Sequence, residues 1–254
     1  MVVMNNVELI LGDVIEELRL VEDNIFDMAV IDPPYILNKT TGGISKTGLV
    51  DRWQGNIKGS DRKAIIRNDI KFEEWLPLVY QKMKEDSHCY IWTNDKNLAE
   101  LQREAEKVGF RLHNILIWKK NNCTPNRWYM KNCEFILFLY KGKAKPINNK
   151  NSSQFLEYKN KSGKEKLHPT EKPVSLIKEL ILNSSNENDL VLDCFMGSGS
   201  TGVACKNLNR QFIGIELDEK YYNVSFDRIY NKKIRIVQKK RKELKNSRKD
   251  ECNE

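Results

Sequence analysis

Two short segments carry residue types whose spacing could do chemistry. The first is Asp32-Pro33-Pro34-Tyr35. A carboxylate and a backbone carbonyl can each accept one N–H from an amino group. Pro34 has no N–H, and the proline pair makes a rigid turn that aims the Pro33 carbonyl outward. Tyr35 offers a flat face for a base rotated out of a duplex. The second segment is Asp193-Cys194-Phe195-Met196-Gly197-Ser198-Gly199-Ser200-Thr201-Gly202. Glycines in such a turn let the backbone pass close under a ligand and open the next helix N-terminus toward it. Phe195 can cover an apolar part of that ligand. Glu216 follows 23 residues after Asp193, where an acid can hydrogen-bond the hydroxyls of a ribose. The turn lacks the G-K-[ST] ending of a phosphate loop. The expected ligand is a nucleoside without a pyrophosphate. Either segment alone also reads as an ordinary tight turn; their co-occurrence points to one site.

These residues must be held by the elements around them. Residues 7–11 read as a strand ending in Gly12-Asp13, and 14–20 as a helix. Residues 26–31 are almost continuously apolar, as in a strand buried on both faces of a parallel sheet, and the run stops at Asp32. Helices are expected over 72–83 and 97–108, and strands over 89–92, 111–118 and 134–140. A helix from Pro173 to Leu182, a strand at 189–193, a helix to Leu208, a strand at 211–216 and a last helix from about Glu219 complete the series. Strands alternating with helices imply an α/β fold with a single doubly wound, mostly parallel sheet. Residues 36–70 and 141–167 are polar and aperiodic, as in recognition or lid loops. The expected organisation is one domain over 1–231 and a basic tail over 232–254.

A chain of 254 residues suits one full α/β domain. No apolar run is long enough to span a membrane and no signal peptide is visible, so a cytoplasmic location is expected. Six cysteines without a C-x-x-C pair, and only three histidines, argue against a clustered metal site and for reduced thiols. Most of the net charge of +8 lies in the tail, where ten lysines and arginines face four acidic residues. That tail, the cations of 36–70, and the stretch from Lys119-Lys120 through Trp128 to Lys131 are candidate nucleic-acid contacts; each also fits a solvated surface.

Together these segments resemble the DNA amino-methyltransferases that make N6-methyladenine or N4-methylcytosine. Asp32-Pro33-Pro34-Tyr35 matches their catalytic motif, and Phe195-Met196-Gly197-Ser198-Gly199 their F-x-G-x-G cofactor loop. His168-Pro169-Thr170-Glu171-Lys172-Pro173 matches their H-P-T-x-K-P segment, and Ile10-Leu11-Gly12-Asp13 a short N-terminal one. With the catalytic motif first, the order is that of the circularly permuted beta class. The resemblance implies a Rossmann-like fold, S-adenosylmethionine as cofactor, and Asp32, Pro33, Pro34 and Tyr35 as catalytic residues. It implies cofactor contacts from Asp193, Phe195, Gly197, Ser198, Gly199 and Ser200, with Glu216 on the ribose and Asp13 on the adenine. His168, Thr170 and Lys172 would lie near the methionine carboxylate. It further implies double-stranded DNA as substrate (single-stranded DNA as the other option), a homodimer as one assembly state, and a bacterial or virus-encoded restriction–modification setting. Aspartate at position 32 favours adenine within the family; cytosine N4 is the nearest alternative. Family members carry a sizeable recognition region before H-P-T-x-K-P, whereas here only 141–167 is available.

Overall fold

The computed structural model describes residues 3–4, 7–34, 70–124, 127–160 and 171–230. Tyr35, His168, Thr170, nearly all of 36–70, 161–167 and the basic tail lie outside the described residues. A nine-stranded mixed sheet runs through the described part. Its strands are β1 (Val3–Met4), β2 (Val7–Leu11), β3 (Phe26–Ile31), β4 (Met83–Thr93), β5 (Arg111–Thr124), β6 (Lys131–Tyr140), β7 (Phe155–Glu157), β8 (Leu190–Asp193) and β9 (Gln211–Glu216). Their spatial order is β1-β2-β9-β8-β3-β4-β6-β5-β7. The five strands from β2 to β4 are mutually parallel; only β1 and β6 run against the rest.

Among the described residues six helices cover the sheet: α1 (Val14–Leu20), α2 (Phe72–Lys82), α3 (Leu98–Val108), α4 (Val174–Ser184), α5 (Ser200–Asn207) and α6 (Glu219–Ile229). The apolar run of β3 is explained by its two neighbourhoods. Met28 and Val30 pack with Leu176, Ile177, Ala204 and Ile229 of α4, α5 and α6. Ala29 and Ile31 pack with Leu18, Trp75, Leu76 and Leu101 of α1, α2 and α3. Side chains alternate across a strand, so a strand covered on both faces must be apolar at every position.

Connections fix where a site can form. From β3 the chain reaches β4 on one side, and from β8 it reaches β9 on the other, so chain order reverses between the neighbours β3 and β8. Open α/β sheets bind ligands beyond the carboxyl ends of the strands at such a switch point. β3 and β8 pair only at Met28↔Val191 and Ala29↔Leu192, so the ends carrying Asp32 and Asp193 are released from each other.

Several boundaries differ from the sequence reading, for identifiable reasons. Met83, expected to end a helix, opens β4, where it faces Phe26. Pro173 is the N-cap of α4 rather than part of its first turn. β5 continues to Thr124 and β6 starts at Lys131, because the polar residues there are carried by cross-strand backbone pairing. β7 lies inside the polar stretch 141–167, where three residues extend the sheet edge along β5.

Candidate active site

The carboxyl ends of β3, β8 and β9 bring the sequence-selected acids to one crevice. Asp32 follows β3 and is held by Lys172, whose Nζ lies 2.6 Å from Asp32 Oδ2. The ammonium also stands 3.3 Å from Glu134 Oε2, a Coulombic contact outside hydrogen-bonding geometry. Glu134 of β6 pairs in turn with Lys120 of β5. The result is a row of alternating charge: Lys120, Glu134, Lys172, Asp32. Burial works against the charge on Lys172, but Asp32 and Glu134 more than offset it and hold its pKa above the ordinary lysine value. Burial likewise pushes Glu134 up, and the two lysines outweigh it, leaving its carboxyl below the usual range. Trp92 flanks the group, with the Lys172 ammonium 6.0 Å from its ring.

The glycine turn is built as its composition demands. Gly197 and Gly199 have φ of +52° and +76°, conformations that side chains disfavour. A Cβ on Gly199 would meet Ser225 Cβ at 2.8 Å, so that glycine lets the turn pack on α6. A Cβ on Gly197 would meet nothing within 4 Å; beside it is open space. Glu216 receives the Gly197 N–H at 2.8 Å and the Asp218 N–H at 2.9 Å, and burial raises its pKa. Asp193 accepts from Thr201 Oγ1 at 2.6 Å and from the Phe195 N–H at 3.2 Å. Full burial pushes its carboxyl up to about 7. Phe195 meets the Trp75 ring edge-on at 5.3 Å. Asp13 caps α1, accepting the Ile15 N–H at 2.9 Å; it sits one residue past Gly12, whose N–H bonds the Glu216 carbonyl.

Four residues of this site were not selected from the sequence as site residues. Glu134 and Lys120 anchor Lys172, and Lys120 is thereby turned inward, although its stretch reads as a phosphate-contact candidate. Arg228 of α6 donates through Nη1 to the Ser198 carbonyl at 3.0 Å, to Ser198 Oγ at 3.2 Å and to Ser200 Oγ at 3.0 Å. Its Nη2 pairs with Glu171 Oε1 at 2.7 Å, and the Glu171 side chain is fully buried. Adjacent residues 171 and 172 thus reach the glycine turn and Asp32 respectively. No local pattern marks Glu134 or Arg228, because their partners lie far along the chain.

The sheet, its switch point and the glycine turn beneath an acid-lined crevice define a Rossmann-like fold of the S-adenosylmethionine-dependent methyltransferase type. The comparisons narrow this class. A family model described as DNA methylase, for the N6/N4 group, matches residues 26–227. The type II methyltransferase M.HinfI of Haemophilus influenzae is 30% identical over 247 residues, covering 86% of this chain and 67% of that protein. M2.DpnII of Streptococcus pneumoniae is 29% identical over 246 residues, covering 89% and 90%. The crystal structure of the M1.HpyAVI–SAM complex aligns with a TM-score of 0.65 at 26% identity, over 87% of this chain and 99% of that one. The cytosine-N4-specific PvuII methyltransferase shares the fold, with a TM-score of 0.68 at 19% identity over 87% and 86%. The chain belongs to the N6/N4 family of DNA methylases.

Proposed function

We propose that this DNA methylase transfers a methyl group from S-adenosylmethionine to the exocyclic N6 of adenine in DNA. The observation that carries this reading is the Lys172-held carboxylate of Asp32, set at the switch point beside the glycine turn. The residues present fit the cofactor. Open space beside Gly197 leaves room for its body, Glu216 lies against the turn for a ribose, and Asp13 stands at the next strand end for an adenine. The structural relative solved as a SAM complex supports the same assignment. Bound there, the cofactor supplies an electrophilic methyl group on a sulfonium. Phe195, backed by Trp75, walls the pocket.

The chain's own residues supply position and a proton acceptor. Asp32 and the Pro33 carbonyl each accept one N–H of the target amine, and Tyr35 stacks on the displaced base. Alignment of this kind lowers the barrier by replacing a random encounter with a fixed geometry. The amine sheds one proton during the reaction, and the Asp32 carboxylate is the base placed to receive it. In this reading Lys172 serves Asp32, holding the carboxylate in place and charged, rather than the cofactor's own carboxylate. Aspartate at 32 supports adenine through the family resemblance, and the motif order supports the permuted beta class. The type II relatives come from bacteria and support a restriction–modification role in a cytoplasm, with residues 1–231 as the methyltransferase domain. Among the described residues no helix is long and apolar enough to cross a membrane.

The test is transfer from labelled cofactor to unmethylated DNA, followed by digestion to nucleosides. Label in N6-methyladenine is the expected result. Label in N4-methylcytosine would select the alternative base, and no transfer to any DNA would overturn the reading. Asp32→Ala is expected to abolish transfer while leaving cofactor affinity within about threefold, since the acid touches the target rather than the cofactor.

A further inference from the structure

The β5–β6 hairpin overshoots the sheet. β4 ends at Thr93, which pairs with Phe135 of β6, and Phe135 pairs with Ile117 of β5. Beyond that level β7 accompanies β5 only as far as Lys119; β5 then runs on to Thr124 and β6 begins back at Lys131, as a two-stranded ribbon. β5 is parallel to β3 and β4, both being related through the antiparallel β6. The ribbon therefore projects past the carboxyl edge of the sheet, the edge that carries Asp32, Asp193 and Glu216.

Its tip is apolar and uncovered. Trp128 is 79% exposed, Tyr129 94% and Met130 61%. Among the described residues these are the only large apolar side chains exposed in consecutive positions. Cations flank them: Arg127 stands 6.0 Å from the Trp128 ring and Lys131 pairs with Asp95, while further along β5 Lys119 pairs with Glu157. Exposed ion pairs of this sort are weak and can be exchanged for phosphates. The base of the ribbon is Glu134, in contact with Lys172 and through it with Asp32. Glu134 lies four steps along the chain from Met130, about 13 Å of extended strand, close to the ~12 Å width of a major groove. Tip and crevice can thus meet the same few base pairs.

We propose that Trp128, Tyr129 and Met130 form a wedge that enters the base stack of a DNA duplex beside the target nucleotide as that nucleotide leaves the helix. Apolar side chains inserted between bases offset the lost stacking, and cations on either side hold the backbone. The proposal rests on the reading of the crevice as the site of base methylation. It makes the duplex the substrate the hairpin serves; a base that is already unpaired has no need of a wedge.

The experiment compares the full-length protein with a Trp128→Ala/Tyr129→Ala/Met130→Ala variant on a duplex with adenine at the target position, for methylation, and on a matching duplex with 2-aminopurine there, for base displacement. It uses the same strand single and the same duplex with the target base mispaired. The tip is exposed, so thermal unfolding and cofactor affinity should match the native protein. The native protein should raise fluorescence on the 2-aminopurine duplex and methylate the adenine duplex. The variant should bind and flip the duplex roughly ten- to hundredfold less well, the span expected for one or two lost stacking contacts. On the mispaired duplex and the single strand it should come within about threefold of the native rate, where the wedge has no bases to part. Rescue of duplex activity by Trp128→Phe/Tyr129→Phe with Met130 retained completes the expected pattern. Equal duplex binding by variant and native would overturn the wedge. So would an equal loss on all three DNAs, or a native dimer that becomes monomeric in the variant, which would assign the tip to a second copy of the chain. Failure of the native protein to methylate any DNA would instead sink the functional reading on which the wedge rests.

Discussion

Replacing Lys172 with methionine takes the cation out from between two carboxylates while keeping most of the stem's volume. Breaking a buried ion pair by removing one partner costs about 3–5 kcal/mol. Two features of the structure place this case at the low end. Asp32 is 22% exposed and can be partly rehydrated, and Lys120 still faces Glu134. A loss of about 3 kcal/mol corresponds to a Tm lower by roughly 6–12 °C for a domain of this size. Glu134→Gln alone should cost less, because Lys172 keeps Asp32. The double variant decides the argument. With no carboxylate at 134 to be stranded, its cost should fall about 1–3 kcal/mol short of the sum of the two singles. Urea denaturation of the four proteins at pH 7 measures this directly, and costs that add within ~0.5 kcal/mol would refute the charge row as a coupled unit. The pH dependence has a definite sign. Lys172 is held above its ordinary 10.5, so its stabilisation is complete below that pH and lost as pH rises through the folded value. Glu134 is held below its ordinary 4.5, so its stabilisation is present above that pH and lost as pH falls through the folded value. The gap between native and Lys172→Met should be flat from about pH 5 to 10 and close in acid. In catalysis, Lys172→Met should lower kcat with little change in cofactor affinity; a lysine serving the cofactor's carboxylate would show the reverse.

Two further perturbations probe the other half of the crevice. Arg228→Lys keeps a cation opposite Glu171 but loses the fork onto Ser198 and Ser200, so cofactor affinity by calorimetry should fall about tenfold, one charged hydrogen bond's worth. Asp193, pushed up to about 7 by burial, binds a proton in the folded state that the unfolded chain has already released above its ordinary 3.8. Native stability should therefore fall with rising pH between about 4 and 7, by at most ~1.4 kcal/mol per unit, and level off above. Asp193→Asn should remove that slope in urea titrations repeated across the range.

How much of this was legible in the sequence depended on whether a feature was local. Strands β3 and β9 match their expected bounds to the residue, because each is a mostly apolar run that stops at an acid, before Asp32 or at Glu216. The glycine turn was legible for the same reason: Gly197 and Gly199 are demanded by φ values at those very positions. What stayed hidden was non-local. The outer halves of β5 and β6 are polar and rest on each other's backbones, so no periodicity announces them. Glu134 and Arg228 look like ordinary surface charges until the fold sets them against Lys172 and Glu171. Lys172 stood out in the sequence, but its ion pair with Asp32 did not, because the two residues lie far apart along the chain.

That partner bears on a problem inherent in a switch-point site. Pairing between β3 and β8 stops at Ala29 and Leu192, so no ladder fixes the distance from Asp32 to the glycine turn. A site that must align two molecules needs that distance fixed to within a fraction of an ångström. The chain answers with two adjacent side chains. Lys172 precedes a proline, which holds it extended, and successive side chains on extended backbone point to opposite sides. Lys172 therefore reaches Asp32 on one side, while Glu171 reaches Arg228, and through it Ser198 and Ser200, on the other. The Lys-Pro step is in this view a geometric device as much as a chemical one. Its consequence is specific: Pro173→Ala, which leaves every charge in place but frees the backbone at Lys172, should lower kcat by about tenfold while cofactor affinity and Tm change little. A Pro173→Ala enzyme with native kcat would show that the two arms are aligned by their ion pairs alone.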